Sequence, residues 1–249
     1  MEKQTAIIIP ARYGSSRLEG KPLLRANNKP IIQWVWEKAS SCPKIDRVII
    51  ATDDERIFNV CQDFGAEVEM TSATHKSGSD RIAEVASRHP EIAYIINLQG
   101  DEPLIEQANI ELVRRGVVED EEADISTLLR EIKDETEINN PNLVKCVFDV
   151  NNFAMYFSRS KIPFERGANQ ANSQGRWNFY GHLGIYGYKR DALFRMTKLP
   201  QAPYELAESL EQLRALQNGM KIKVAIVENV PVGIDTLEDF EKFKKMVEV

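Results

Sequence analysis

Short apolar segments alternate with amphipathic segments along the first half of the chain. The apolar segments are rich in β-branched residues and predict strands at 5–10, 46–53, 66–71 and 93–101. The segments between them repeat apolar residues at helical spacing and predict helices at 30–40, 54–65 and 80–89. Strands separated by helices of this length join through right-handed crossovers. The pattern therefore predicts an α/β fold with a mainly parallel sheet flanked by helices.

The second half of the chain follows a less regular pattern. An acidic run at 119–124 is interpreted as a solvated turn, and 143–159 predicts two strands joined by a turn at Asn151 and Asn152. Residues 164–181 have no period and predict a long loop of the kind that serves as a lid or a contact arm. The remaining segments predict strands and helices in the order strand 182–189, helix 204–219, strand 221–229 and helix 236–248. Because no linker or repeat is visible, the chain is interpreted as one domain, 1–249.

Composition narrows the function without identifying it. A net charge of −6 argues against a general nucleic-acid binder, so an anionic ligand must be held by a local group of cations or through a metal ion. No apolar run approaches the roughly 20 residues that span a bilayer, and the first residues become strand-like too early for a signal peptide. The three cysteines are widely spaced and lack a C-x-x-C pair. Together these features predict reduced thiols in a cytoplasmic protein without membrane insertion.

The loop after the first predicted strand carries an unusual amount of positive charge. In an open α/β sheet, ligands bind beyond the carboxyl ends of the strands, where this loop lies. Its spacing matches neither the Walker A pattern nor G-x-G-x-x-G, so it predicts a polyphosphate site of another design. The alternative is a polar turn whose cations face water. The residues concerned are two glycines, two hydroxyl donors and three cations: Gly14, Gly20, Ser15, Ser16, Arg12, Arg17 and Lys21.

Two acidic residues follow glycine-containing segments elsewhere in the chain. Asp101, within LQGDEP, lies where the chain leaves the fourth predicted strand, close to the expected position of the first loop. A carboxylate there suits Mg²⁺, which commonly binds through one or two carboxylates together with substrate phosphates. Asp235, within GIDTLED, has two equal interpretations on its own chemistry, a cap of the final helix or a metal ligand.

Several blocks, in order across nearly the whole chain, resemble one enzyme family. They are PARYGSSRLEGKPL, ATDDERI, SGSDR, NLQGDEP, MYFSRSKIP, HLGIYGY, LEQLRALQNG and GIDTLEDF. Together they closely resemble the 3-deoxy-manno-octulosonate (Kdo) cytidylyltransferases, or CMP-Kdo synthetases. The resemblance implies a nucleotidyltransferase (Rossmann-like) fold and transfer of CMP from CTP to Kdo with Mg²⁺, for lipopolysaccharide synthesis. It also implies a homodimer formed through an extension at roughly 143–188.

The same resemblance implies roles for individual residues. The nucleotide-binding residues are Arg12, Ser15, Ser16, Arg17, Lys21, Ser77, Gly78, Arg81 and Gln99, the last near the base or ribose. Lys21, Arg12 and Asp101 are implied as catalytic, and Asp101 and Asp235 as ligands of Mg²⁺, which favours the metal interpretation of Asp235. The sugar-binding residues are Arg159, His182, Tyr186, Glu211 and Gln212.

Helical spacing over 204–219 bears on the last two of these residues. It predicts one face with Leu206, Leu210, Leu213 and Leu216, and an opposite face with Glu208, Glu211 and Gln212. Without the resemblance, that acidic face would be solvated, and His182 would be a packed or surface histidine. Three other functions stay open: a cytidylyltransferase for sialic acid, one for amino-substituted Kdo (8-amino-Kdo), or a nucleotide-binding regulator that has lost catalysis.

Overall fold

The structure, a computed structural model, describes residues 3–14, 18–166, 178–228 and 233–248. The strands are β1 (Gln4–Ala11), β2 (Arg25–Ala26), β3 (Lys29–Pro30), β4 (Arg47–Thr52), β5 (Glu67–Met70), β6 (Ile92–Asn97), β7 (Ile125–Ile132), β8 (Lys145–Phe148), β9 (Ala154–Ser158), β10 (Phe179–Lys189) and β11 (Ile222–Val227). The helices are α1 (Ile31–Ser40), α2 (Glu55–Asp63), α3 (Gly78–Arg88), α4 (Gln107–Val118), α5 (Glu135–Ile138), α6 (Arg190–Lys198), α7 (Pro203–Glu208), α8 (Gln212–Gln217) and α9 (Leu237–Val247). A short 3₁₀ helix covers Lys21–Leu23.

One large sheet organises the described residues. Its strands run in the order β11-β7-β10-β6-β1-β4-β5, and β8 and β9 join it as a hairpin through β10. β1 pairs in parallel with β4 and β6, as do β4 with β5 and β11 with β7. β10 runs antiparallel to both of its neighbours, β6 and β7. The prediction of a mainly parallel sheet flanked by helices is confirmed.

The side chains of strand β1 show that helices pack against both faces of the sheet. Ala6 and Ile8 belong to the core shared with α3, α6 and α8, whereas Ile7 and Ile9 belong to the core shared with α1, α2, α4 and α9. All of these β1 side chains are fully buried, as in parallel sheets covered on both sides. Because both faces are covered, the ends of the strands are where a ligand can reach the sheet.

The predicted helix at 204–219 is wrong, because the structure divides it into α7 and α8. Ser209 ends α7 in the left-handed conformation, at φ 52°, and α8 begins at Gln212. The break changes the direction of the chain, so the predicted leucine face does not continue: Leu213 is fully buried, whereas Leu206 is exposed. Gln212 is buried rather than turned away from the core. A serine in this conformation lacks the sequence signal that glycine gives at a helix end.

The second half also confirms one prediction and corrects another. The two strands predicted within 143–159 are β8 and β9, and Asn152 adopts a positive φ of 60° in the turn between them. The strand predicted at 182–189 begins earlier, at Phe179, because β10 pairs with β7 along that extra length. The rest of the predicted loop at 164–181 lies largely in 167–177, outside the described residues. A search of the described helices finds none that is long and apolar enough to span a membrane.

Candidate active site

The carboxyl ends of β1 and β6 meet at one edge of the sheet because the two strands pair in parallel. β1 also pairs with β4 on its other side, so this edge is a switch point of the kind at which open α/β sheets bind ligands. Gly100 allows the two strand ends to approach closely. A Cβ atom at this position would lie 3.2 Å from the Pro10 carbonyl oxygen and 3.3 Å from Ile32 Cδ1.

Lys21 lies at the centre of a charged cluster at this edge. Gly20, at φ 66°, turns the chain into the 3₁₀ helix and places the lysine side chain inward, where it is nearly buried. Lys21 Nζ donates to Asp101 Oδ2 at 2.7 Å and to Asp235 Oδ1 at 3.2 Å. Three segments that are far apart in the sequence therefore meet at one ammonium group.

The cap interpretation of Asp235 is wrong. Thr236 is the N-cap of α9 and forms a capping box with Asp239: Asp239 N donates to Thr236 Oγ1 at 3.2 Å. The Asp235 carboxylate instead faces Lys21. Ile234 N donates to the Asp101 carbonyl oxygen at 2.9 Å and holds the two acidic segments together. The metal interpretation of Asp235 stays a prediction.

A third carboxyl group, Glu102, lies beside this cluster and was missed by the sequence analysis. Burial, followed by the charges of Asp101 and Asp235, raises the pKa of Glu102 to about 7. The only sequence signal was its position next to Asp101. The cluster thus contains several carboxylate oxygens that could bind a metal ion. The position between Asp101 and Asp235 already accommodates a cationic group, the ammonium of Lys21. This donor set fits a hard cation such as Mg²⁺.

Arg12 joins the first loop to the start of α3. Its Nη2 donates to the carbonyl oxygens of His75, at 3.0 Å, and Ser77, at 2.9 Å. Burial, followed by the charge of Arg81, lowers the pKa of Arg12. Ser77 caps α3, since its Oγ accepts a hydrogen bond from Asp80 N at 3.1 Å. Arg12 therefore holds the amino end of a helix, which favours anions, beside the charged cluster.

Arg81, a predicted nucleotide-binding residue, is buried beside the ends of β4 and β5. Its side chain is fully buried, and its Nη2 donates to Asp53 Oδ2 at 2.6 Å. A second hydrogen bond joins the guanidinium to Thr71 Oγ1. In the structure Arg81 thus anchors α3 to the ends of β4 and β5, and its contact with a nucleotide stays a prediction. Ser15, Ser16 and Arg17 lie outside the described residues.

Two adjoining cavities open at this edge, and Gly78 and Gln99 line both of them. The first-loop cavity, of about 400 Å³, is lined by Pro10, Ala11, Arg12, Gly14, Lys21, Pro22, Gly78, Gln99, Gly100 and Asp101. The tyrosine cavity, of about 250 Å³, is lined by Gly78, Ser79, Asn97, Gln99, Ile125, Tyr186, Tyr188, Met196, Glu211 and Gln212. The charged cluster and the predicted sugar residues Tyr186, Glu211 and Gln212 are therefore neighbours in space.

The sequence analysis missed five residues of the tyrosine cavity, of which three can form hydrogen bonds through their side chains: Ser79, Asn97 and Tyr188. Tyr188 follows Tyr186 by two positions on β10, and the two rings stack with centroids 5.9 Å apart. Asn97 precedes Gln99 by two positions, and its Oδ1 accepts a hydrogen bond from Gln99 Nε2 at 3.2 Å. The period of two in a strand, applied around each predicted residue, could have found both.

Two predicted sugar-binding residues, His182 and Arg159, do not line the tyrosine cavity. The His182 ring packs between Phe157 and Tyr186, with centroids 5.2 Å from each, and its Nε2 lies 3.0 Å from Thr127 Oγ1. Burial lowers the pKa of His182 to about 3, so the imidazole is neutral. Arg159 Nε donates to the Glu208 carbonyl oxygen at 2.7 Å, next to the break between α7 and α8. Direct contact of either residue with a sugar stays a prediction.

Another group that could hold a cation lies away from both cavities. Glu67, Glu69 and His89 bring their ligand atoms within 4.8 Å of one another. Both carboxylates already form ion pairs, Glu67 with Arg47 and Glu69 with Arg88. We therefore interpret this group as a salt-bridge network that joins β5 to the end of α3.

Sequence comparison identifies relatives along the whole chain. Residues 6–222 match the family described as cytidylyltransferase. A 3-deoxy-manno-octulosonate cytidylyltransferase of Thermodesulfovibrio yellowstonii is 47% identical over 248 residues, which cover 97% of each chain. The protein of the same description from Fusobacterium nucleatum is 46% identical and covers 94% of this chain and 93% of its own.

Structural comparison leads to the same group of proteins. A solved structure of a CMP:2-keto-3-deoxy-manno-octonic acid synthetase complexed with CTP superposes with a TM-score of 0.92, at 40% identity and 99% coverage of both chains. A cytidylyltransferase of Leptospira borgpetersenii serovar Hardjo-bovis shares the fold, with a TM-score of 0.65 at 19% identity over 99% of this chain and 87% of its own.

Proposed function

The chain belongs to the cytidylyltransferase family, and from this premise we propose that it activates 3-deoxy-manno-octulosonate with CTP, giving CMP-Kdo and pyrophosphate. The observation that carries the proposal is the sharing of Gly78 and Gln99 between two unlike cavities. One cavity holds cations and carboxylates suited to a nucleoside triphosphate, and the other holds hydrogen-bonding groups suited to a sugar. A reaction between two substrates needs this adjacency.

The first-loop cavity is the proposed site of CTP. Arg12 and Lys21 supply positive charge at its wall, and Ser15, Ser16 and Arg17 belong to the same loop of the sequence. The amino end of α3, at Ser77 and Gly78, adds the partial positive charge of a helix dipole. These features are the means by which a chain of net charge −6 can hold a polyanion.

The tyrosine cavity is the proposed site of the sugar acid. Glu211, Gln212 and Gln99 offer acceptors and donors for hydroxyl groups, and the Tyr186 and Tyr188 rings form an apolar wall. Burial, followed by the neighbouring Tyr188 and Glu211, raises the pKa of Tyr186 above its usual value, so its hydroxyl stays protonated and can donate. His182 packs against the Tyr186 ring and supports this wall, whereas Arg159 lies beside the break between α7 and α8.

Asp101 and Asp235 are the proposed ligands of Mg²⁺, because both carboxylates converge on a position occupied by an ammonium group. When bound there with the triphosphate, Mg²⁺ supplies Lewis-acid polarisation of the phosphate oxygens and orients them. Lys21 would then be released from its carboxylate partners and could pair with phosphate oxygens instead.

The chain contributes position and charge rather than covalent chemistry. The sugar's anomeric hydroxyl attacks the α-phosphorus of CTP in line with the departing pyrophosphate. A bond forms between the anomeric oxygen and the α-phosphorus, the bond from the α-phosphorus to the oxygen that bridges it to the β-phosphorus breaks, and the hydroxyl proton is lost to water. Gln99 lies at the junction of the two cavities, where the reacting groups must meet. Lys21 and Arg12 stabilise charge that builds on the phosphates in the transition state.

Pyrophosphate release from a panel of sugar acids tests the proposed function. The protein is mixed with CTP, Mg²⁺ and either Kdo, 8-amino-Kdo or sialic acid. Kdo is expected to give the largest kcat/KM, whereas a larger value for 8-amino-Kdo or sialic acid would transfer the assignment to that sugar. No release with any of them, from protein that still binds CTP, would favour a regulator without catalysis.

We propose that the protein is a homodimer, formed through the extension at roughly 143–188 and the neighbouring α7. Four large apolar side chains are exposed in these segments, Met155, Phe164, Tyr204 and Leu206, and Tyr204 contacts Tyr156 of β9. A contiguous apolar patch is typical of an interaction surface. Two-fold dimers are the commonest oligomers of soluble proteins. Sedimentation at micromolar concentration should give twice the chain mass of 28.3 kDa, and Met155→Glu should shift it toward the monomer. A monomer in the unmodified protein would contradict this.

We also propose a cytoplasmic location, where the product would enter lipopolysaccharide synthesis. Cys42, Cys61 and Cys146 are free and buried, which suits a reducing compartment. Fractionation of cells that produce the protein should recover it with cytoplasmic markers.

A further inference from the structure

A series of buried polar side chains lies behind the tyrosine cavity. Ser79 Oγ donates to Glu211 Oε2 at 2.7 Å. On the other side of Glu211, Arg214 Nη2 lies 3.6 Å from Oε1. Arg214 is itself paired with Glu205: its Nε donates to Glu205 Oε2 at 2.9 Å, and its Nη2 donates to Oε1. The Arg214 and Glu205 side chains are only 9% and 6% exposed.

The two oxygens of Glu211 differ in their surroundings. Oε2 is occupied by Ser79, whereas Oε1 is buried and accepts no hydrogen bond from the described residues. A buried acceptor without a donor is unfavourable, and such a group calls for an explanation in a native structure. Glu211 lines the tyrosine cavity, and it also lines a neighbouring cavity of about 440 Å³ together with Glu205 and Arg214. A ligand hydroxyl in the tyrosine cavity is the donor that we assign to Oε1.

Arg214 is a competitor for the same oxygen. Its distance of 3.6 Å to Glu211 Oε1 gives charge compensation but exceeds that of a charge-assisted hydrogen bond, about 2.7–2.9 Å. A small shift of the guanidinium would close this gap and occupy Oε1. The bidentate contact with Glu205 holds the guanidinium on the far side.

Glu205 is well placed to hold this position. Burial by itself would raise the pKa of Glu205, but hydrogen bonds from Arg214 and the Ala202 N–H outweigh it and lower the pKa, so the group is an anion. The Ala202 N–H donates to Glu205 Oε2 at 3.0 Å and fixes the carboxylate at the start of α7. The turn at Ser209 then brings α7 against α8, with Glu205 and Glu211 on either side of Arg214.

We propose that Glu205 is a positioning residue that retains Arg214 and thereby keeps Glu211 Oε1 open for a hydroxyl group of the substrate. The sugar acid as that substrate rests on the proposed function, but the competition between Glu205 and Glu211 for Arg214 does not. Glu205 itself lies behind the cavity wall and touches no reacting atom.

Glu205→Gln tests the proposal, because it removes the anion but keeps the size of the side chain. Arg214 should move to Glu211, and KM for Kdo should rise roughly tenfold, the worth of about one hydrogen bond, while KM for CTP and kcat stay near their original values. The double variant Glu205→Gln/Arg214→Met should lower KM for Kdo again, because the competitor is gone. A merely structural pair would make the double variant worse than the single one.

A matched control removes a similar pair elsewhere. Arg114 donates to both carboxylate oxygens of Glu111 on α4, at 2.6 and 2.9 Å, and neither residue lines the tyrosine cavity. Glu111→Gln should leave KM for Kdo unchanged. An equal rise in KM for both Glu→Gln variants would overturn the proposal.

A crystal structure of Glu205→Gln decides the positioning claim without any substrate. Arg214 Nη2 is expected within about 3 Å of Glu211 Oε1. If it remains with residue 205, the proposal fails even where CTP and Kdo are turned over. If the unmodified protein releases no pyrophosphate, the proposed function fails while the crystal structure still decides the pairing. Should Glu205→Gln not fold, Glu205→Asp retracts the carboxylate by one methylene and predicts the same shift of Arg214.

Discussion

The two adjoining cavities are built in opposite ways. In the first-loop cavity, Lys21 is paired with the carboxylates of Asp101 and Asp235. In the tyrosine cavity, Tyr186 and Tyr188 form one wall, and none of the described residues donates a hydrogen bond to the buried Oε1 of Glu211. The first site must exchange partners when a ligand enters, whereas the second already presents its groups.

This difference separates two contributions to the reaction. Charges that are released from one another as a triphosphate binds can follow the charge that builds in the transition state, so their loss should appear in kcat. Side chains that bind hydroxyl groups which do not react bind the substrate equally well in the ground state and in the transition state. Their loss should therefore raise KM and leave kcat unchanged. Substitutions at Asp101, Lys21 and Glu211 therefore separate the two contributions.

Asp101→Asn should have the largest effect, a fall in Mg²⁺-dependent turnover of about 10³-fold or more, because it removes a carboxylate ligand of a hard cation. Asn keeps the size of the side chain and can still accept from Lys21, so the fold should be retained. Pyrophosphate release over a Mg²⁺ titration measures this. Asp134→Asn is the matched control, since Asp134 caps α5 away from the site and Asn caps equally well. Near-normal turnover of Asp101→Asn at ordinary Mg²⁺ would remove Asp101 from the metal site.

Lys21→Ala should reduce kcat by about 10²–10³, or roughly 3–4 kcal/mol, with both substrates saturating. The lysine charge grows in value as negative charge builds around the α-phosphorus. Lys29→Ala is the control, because it also removes a lysine that is paired with a carboxylate. Lys29 Nζ lies 2.8 Å from Oε2 of Glu37, which is on α1. An unchanged kcat with only a higher KM for CTP would show that Lys21 binds the ground state alone. Both variants must match the original protein in thermal stability.

Glu211→Ala should raise KM for Kdo by about tenfold to a hundredfold, the worth of one hydrogen bond to a charged group, and leave KM for CTP almost unchanged. The truncation also leaves Ser79 Oγ without its acceptor, so Ser79→Ala/Glu211→Ala serves as the control for that loss. Steady-state kinetics with each substrate varied in turn provides the measurement. If KM for CTP rises and KM for Kdo does not, the sugar does not bind beside α8.

His182 provides the smallest effect, a dependence of stability on pH. Burial lowers its pKa to about 3 from the usual 6.5, so the unfolded chain binds a proton that the folded chain refuses. This contribution to stability is complete above pH 6.5 and is lost progressively as the pH falls toward 3. His182→Gln lacks it, so the difference in melting temperature between the two proteins should shrink between pH 7 and pH 5. A constant difference would indicate an exposed imidazole.

The sequence predicted the parallel half of the fold and much of the first-loop cavity. The alternation of apolar and amphipathic segments located β1, β4, β5 and β6, because a strand covered on both faces must be apolar along its length. It did not identify β7, α4 or α6. It also joined α7 and α8 into one helix, because a local period cannot detect the left-handed turn at Ser209.

What the sequence determined by itself is local: the class of the fold, the cationic loop after β1, and the acidic residues that follow glycines near strand ends. The tertiary structure alone decided what depends on distant segments meeting. The chemistry of the GIDTLED segment alone leaves Asp235 divided equally between a helix cap and a metal ligand, and the family resemblance favours the metal. The structure excludes the cap, because Thr236 caps α9 and Asp235 pairs with Lys21. The tyrosine cavity likewise joins α3, β6, β10 and α8. The two oxygens of Glu211 differ only in the assembled chain, because Ser79 donates to Oε2 while Arg214, paired with Glu205, lies 3.6 Å from Oε1. Burial and pairing are properties of the assembled chain, and no period within one segment encodes them.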